Sequence, residues 1–208
     1  MVLTPSTMLP LGTPLPAFRL PRVNGPARPT GQGPAAADPA LSAGAPLDSR
    51  DLAGRPLLVL FLCAHCPFVK HIEPEIGRLE RDYGDHLGIV AIASNSILTH
   101  PQDGPEGLRR QAEHQGWRFP YLFDADQHIA RAFRAACTPD PFLFDAAQRL
   151  VYRGQLDASR PGNGLACDGR DLRAALDALL AGDPVNPEQQ PAIGCNLKWH
   201  PGQAPAWG

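Results

Sequence analysis

Two cysteines separated by two residues, in Cys63-Ala64-His65-Cys66, are the side chains of this sequence best suited to covalent chemistry. At that spacing a pair of thiols can close a small disulfide at the mouth of a turn. An apolar run enters the motif and a helical pattern leaves it. A sulfur at that junction meets the positive end of the helix dipole, which favours the thiolate, the nucleophile of disulfide exchange. Attack is assigned to Cys63 and resolution to Cys66, the cysteine further into the helix. His65 lies between them, and a partly protonated imidazole there would stabilise the thiolate and make the pair more oxidising. The competing reading is half of a zinc site. Zinc needs further ligands, and the sequence supplies only Cys137, Cys167 and Cys195 singly, with His200 five residues after Cys195. No second Cys-x-x-Cys occurs, so neither a metal nor a cofactor is expected.

The elements around the motif are legible from their periods. Pro56 to Leu62 is a continuous apolar run, as a strand buried on both faces would be. After the motif, Val69, Ile72, Ile76 and Leu79 recur at helical spacing. Pro67 suits the first turn of that helix, and Pro74 inside it removes a backbone donor and predicts a kink. Gly88 to Ala93 reads as a second buried strand, and residues 105–115 as a helix closed by Gly116. Phe119 to Phe123 reads as extended and Gln127 to Ala136 as helical. Phe142 to Phe144 and Leu150 to Tyr152 flank a turn and predict a hairpin. Asp168 is placed as the cap of a last helix carrying Leu172, Leu176, Leu179 and Leu180, with Gly182 ending it. Strand, helix, strand, helix, hairpin, helix is the thioredoxin arrangement, an α/β fold with a central mixed sheet flanked by helices.

The rest of the chain bounds the answer. Its 208 residues suit one domain with extensions. Prolines crowd the first 56 residues, where only Ala17 to Leu20 and Pro46-Leu47 look extended, and Gly25 to Gly44 reads as a flexible loop. This divides the chain into an N-terminal extension (1–49), a redox domain (50–183) and a C-terminal tail (184–208). A formal charge of −2 offers no basic field for nucleic acid, and no apolar run is long enough to cross a membrane. The first residues carry no secretory signal pattern, so the cytoplasm is expected, where five cysteines would not form a static disulfide framework.

Several segments resemble a bacterial peroxiredoxin-like branch of the thioredoxin superfamily, related to the alkyl hydroperoxide reductase and thiol-specific antioxidant proteins. They are Phe61 to Lys70, Phe119 to Asp124, Cys137-Thr138-Pro139-Asp140, Ser159 to Asn163 and Ile193 to Trp199. The resemblance implies that Pro139 follows a cis bond and faces the Cys-x-x-Cys motif, with Thr138 and Pro139 leaving backbone groups free for a substrate chain. Cys137 would then lie near the motif, as an additional redox thiol or as a small buried hydrophobe. The Cys-x-His-Cys form is similar to that of periplasmic disulfide-forming oxidoreductases, which sit near about −120 mV against about −270 mV for thioredoxin.

The resemblance also implies a peroxidatic Thr-x-x-Cys-Pro site, from which this chain departs. Cys66-Pro67 fits its end, but Cys63 stands at the threonine, and Pro139 stands where a peroxide-polarising arginine is expected. The sequence therefore favours a thiol-disulfide oxidoreductase acting on protein disulfides or thiols, with a reductant such as thioredoxin. The alternatives are a thiol peroxidase using Cys66 and a non-enzymatic thioredoxin-fold binding module.

Overall fold

A computed structural model of the chain describes residues 3–25, 44 and 46–207. Its first half contains β1 (Leu3–Pro5), β2 (Arg19–Pro21), β3 (Pro46–Asp48), β4 (Leu57–Phe61), α1 (Pro67–Tyr83), β5 (Gly88–Ala93) and α2 (Pro105–Gln115). The second half contains β6 (Tyr121–Phe123), α3 (His128–Phe133), β7 (Cys137–Thr138), β8 (Asp140–Phe144), β9 (Leu150–Tyr152), α4 (Arg170–Ala181) and β10 (Ile193–Asn196).

The continuous apolar run around β4 has a simple cause. Side chains alternate across a strand, and here both faces are covered. Leu58, Leu60 and Leu62 enter one buried cluster, while Leu57, Val59 and Phe61 enter another. The main sheet has the order β6-β5-β4-β8-β9. β5 runs parallel to β4 and β8 antiparallel, which makes the sheet mixed. The first cluster takes the apolar faces of α1, α2 and α4 through Ile72, Ile76, Leu108, Leu172 and Leu176. The second takes Ile129 and Phe133 of α3, and there Phe133 meets Phe61, Phe142 and Phe144 edge to face. Such aromatic pairs add about 1 kcal/mol each beyond area burial. The molecule therefore has helices on both faces of a mixed sheet, the thioredoxin fold.

Several sequence expectations shift by a few residues, each for a local reason. α1 contains Pro74 within its length, as the sequence placed it. α3 is shorter than the expected 127–136 because Arg134 takes a left-handed conformation (φ 51°), turning the chain towards β7. The cap of α4 is Gly169 rather than Asp168. Gly169 has φ 66°, and a Cβ there would lie 2.8 Å from the Glu75 carboxylate, so glycine fits on two counts. The expected loop between Gly25 and Gly44 falls on residues 26–43, outside the described residues.

The two ends of the chain join the fold. β2 pairs with β3, and Leu9, Phe18, Leu20 and Leu47 enter the second cluster beside Leu197 and Trp199. β10 is the middle strand of a small sheet of order β1-β10-β7. Among the described residues no helix is long and apolar enough to cross a membrane.

Candidate active site

The loop from Cys63 to Cys66 joins the end of β4 to the start of α1. Helix α1 begins at Pro67, so Cys66 is its N-cap and Cys63 lies before it in the loop. The dipole argument that the sequence attached to Cys63 therefore applies to Cys66. A hydrogen bond from the Cys63 thiol lowers the Cys66 thiol to about 5; burial opposes this, and Cys195 and the Val69 backbone reinforce it. Cys63 moves the other way. Burial is the main cause, and the Cys66 sulfur and the Asp103 charge add to it. The sequence assigned the thiolate to Cys63, whereas the helix N-terminus and the lowered thiol favour it at Cys66.

Thr138 connects these sulfurs. Its Oγ1 lies 3.3 Å from Cys63 Sγ, and its carbonyl oxygen lies 3.3 Å from Cys66 Sγ. The Thr138–Pro139 peptide is cis. The backbone edge expected to be open here is filled. Thr138 pairs antiparallel with Cys195, and Cys137 with Asn196, so the chain's own β10 lies where a partner chain was expected. Cys195 Sγ consequently sits 2.8 Å from Cys66 Sγ. Burial first, then the bond to Cys66, pushes the Cys195 thiol up to about 12.

Cys137 does not join this contact. Its sulfur is directed to the Pro139 carbonyl at 3.6 Å, and burial raises its thiol well above the ordinary range. It behaves as the small buried hydrophobe of the two sequence alternatives. Cys167 is half-buried, and its carbonyl accepts from Arg78.

The other side of the loop is polar. His65 Nδ1 lies 2.5 Å from Asp103 Oδ2, and the His65 ring stacks on His100 with centroids 4.7 Å apart. Asp103 also accepts from the Ala64 and His65 backbone N–H groups at 2.9 and 3.1 Å and from Asn95 at 2.8 Å. Burial raises the Asp103 carboxyl, but the bonds from His65, Asn95 and Ala64 outweigh it and leave it below its ordinary value. Gln111 adds a bond from its side-chain amide to the Cys63 carbonyl at 3.1 Å. His65 is therefore aimed at Asp103.

Donor atoms of Cys63, His65 and Asp103 lie within 4.8 Å of one another, close enough to hold a cation. Each already has a protein partner: Thr138 for Cys63, and each other for His65 and Asp103. Sequence reasoning missed Asp103 because nothing local marks an acid forty residues from the motif. It named Cys195 only as a single cysteine and as part of the Ile193 to Trp199 segment, with no partner assigned.

The AhpC/TSA family model matches residues 11–153. Two solved structures resemble nearly the whole chain. An uncharacterized conserved protein from Geobacillus kaustophilus is 43% identical, with a TM-score of 0.85 over 97% of this chain and 98% of its own. A hypothetical protein from Sinorhizobium meliloti 1021 is 40% identical, with a TM-score of 0.84 over 96% and 100%. The thioredoxin domain of a thiol-disulfide oxidoreductase from Bacteroides vulgatus shares the fold at 15% identity, with a TM-score of 0.52 over 70% of this chain and 88% of that one. No curated protein matches the chain.

Proposed function

The chain belongs to the AhpC/TSA family, and from that premise we propose that it is a thiol-disulfide oxidoreductase in which Cys66 attacks and Cys63 resolves. The observation that carries this reading is the division of labour within the motif. Cys66 caps α1 with its thiol lowered to about 5, and the protonated Cys63 is its hydrogen-bond partner. The Cys66 thiolate attacks a substrate disulfide, forms a mixed disulfide and releases one substrate thiolate. Cys63 then gives up its proton and attacks the Cys66 sulfur, closing Cys63–Cys66 and releasing the second substrate thiol. The Thr138 hydroxyl can donate to the Cys63 sulfur as it gives up its proton, while the Thr138 carbonyl accepts from Cys66 only when that thiol is protonated. Cys66 is fully buried with Cys195 of β10 against its sulfur, so the proposed attack requires this packing to open locally.

A second reading, thiol peroxidase, draws support from the same lowered thiol followed by Pro67 at a helix start. Against it, the hydrogen-bond partners of Cys66 among the described residues include no arginine, and Cys63 fills the place of the hydroxyl. Stopped-flow mixing of the reduced protein with an aromatic disulfide and, separately, with hydrogen peroxide distinguishes the two. Disulfide exchange is expected to be fast and peroxide oxidation no faster than that of an ordinary thiol. Peroxide reacting orders of magnitude faster than a free thiol would establish the peroxidase instead.

A further inference from the structure

We propose that Cys195 is a third redox thiol, which closes a disulfide with Cys66 and thereby ties the C-terminal strand over the active loop. The proposal rests on Cys66 being the exchanging thiolate. Three observations carry it. Cys195 Sγ is 2.8 Å from Cys66 Sγ, at a sequence separation of 129. Cys195 is held in register by antiparallel pairing with Thr138, the residue that also touches Cys63 and Cys66. Gly194 permits this approach: a Cβ at that position would lie 2.1 Å from the Thr138 carbonyl oxygen, so no larger residue fits without moving β10.

The segment after Cys195 is anchored by backbone and side-chain hydrogen bonds. Leu197 N–H donates to the Ala136 carbonyl at 2.9 Å, and Lys198 N–H donates to Asn95 Oδ1 at 2.7 Å. The Lys198 carbonyl accepts from Ser96 N–H and from Gln127. Trp199 is buried beside Arg131, whose guanidinium lies 4.9 Å from the ring centre. These contacts hold Cys195 at the Cys66 sulfur and exclude water from both.

The exchange balances within the protein. Starting from Cys63–Cys66, the Cys195 sulfur attacks Cys66, the Cys66–Cys195 bond forms and the Cys63–Cys66 bond breaks. The proton of Cys195 passes to the departing Cys63 sulfur. No external oxidant is consumed, because the substrate disulfide has already taken up the two electrons. Where Cys63 is missing, Cys195 resolves the mixed disulfide on Cys66 directly and releases the substrate thiol. The product is the form in which β10 cannot lift, until an external dithiol reduces it.

The test uses the full chain in a Cys167→Ser background, because Cys167 is half-buried and would react on its own. Reduced Cys63→Ser, Cys195→Ser and the double variant are each treated with dithionitrobenzoate. Released thiolate is counted, and disulfides are mapped by mass spectrometry of non-reduced digests. The Cys63→Ser protein is expected to release two thiolates per chain and to yield a Cys66–Cys195 peptide. The double variant should release one and retain the reagent on Cys66. A stable one-to-one adduct in Cys63→Ser, or a Cys66–Cys137 bond, would overturn the proposal. Cys195→Ser separates this inference from its parent: its failure to form Cys63–Cys66, while Cys63→Ser still forms Cys66–Cys195, would sink the resolving role of Cys63 and leave Cys195 as the resolver. The same background with both cysteines intact, sampled over time, gives a measure independent of those substitutions, with Cys66–Cys195 expected to accumulate after Cys63–Cys66.

Discussion

On one side of the Cys63–Cys66 loop three buried sulfurs gather around the Thr138 backbone. On the other side His65, Asp103, Asn95 and His100 form a polar cluster that reaches solvent through partly exposed imidazoles. The dry side holds thiols with the Thr138 hydroxyl and carbonyl, and a thiolate there would be favoured by the helix N-terminus at Cys66. The polar side contains no nucleophile, yet its buried carboxylate fixes two backbone N–H groups of the same loop. The contrast separates reaction from position: sulfur chemistry lies on one side, and the groups that hold the loop lie on the other.

The largest test of that contrast is Cys66→Ser, which should reduce exchange with a model disulfide to the uncatalysed background while leaving the circular dichroism spectrum unchanged. Exchange retained at the wild-type rate would move the nucleophile to Cys63 and erase the distinction. Next is Asp103→Ala, which strands two loop N–H groups and Asn95 without their acceptor. A loss of about 3 kcal/mol is expected by urea unfolding at pH 7. The Asp103 carboxyl is held below its ordinary value, so the stability it contributes is present above the unfolded value of about 4 and fades as pH falls through the folded value. Equal stability of the variant and the wild type at pH 7 would show that the loop does not depend on this acid.

Asp140 provides a test behind the dry side. Burial pushes its carboxyl up to about 7, against opposing bonds from Ser6 and Ala136. A raised carboxyl favours the protonated fold, so its contribution is complete below about pH 4 and is lost as pH rises through about 7. Asp140→Asn should therefore be more stable than wild type at pH 8, and the gain should vanish near pH 4. A variant less stable at both values would mean that the ionised carboxylate is the native form. The smallest effect is expected at His65, which faces Asp103 rather than sulfur. His65→Gln should shift the thiolate titration, followed by absorbance at 240 nm, by less than about half a unit. A rise of a full unit would return the imidazole to the role first read from the motif.

Much of the fold was legible because its signals are local. The apolar run before Cys63 and the 3-4-3 spacing after Cys66 marked β4 and α1, and turn residues marked the β8–β9 hairpin. The pairing of the motif with Thr138-Pro139 was legible only through family resemblance, since 75 residues separate Cys63 from Thr138. Pro67 was legible as the first turn of α1, and that start places Cys66 rather than Cys63 at the N-cap.

The sequence by itself determined the thioredoxin-type element order and the Cys-x-x-Cys spacing, because period, turn chemistry and motif spacing act over a few residues, while the candidate cis proline came from the family resemblance. Only the tertiary structure decided that Asp103 orients His65, that β10 closes the edge of Thr138, and that Cys195 meets Cys66. Those contacts join segments tens to more than a hundred residues apart. Their geometry is set by how strands and helices pack, and no local sequence pattern encodes it.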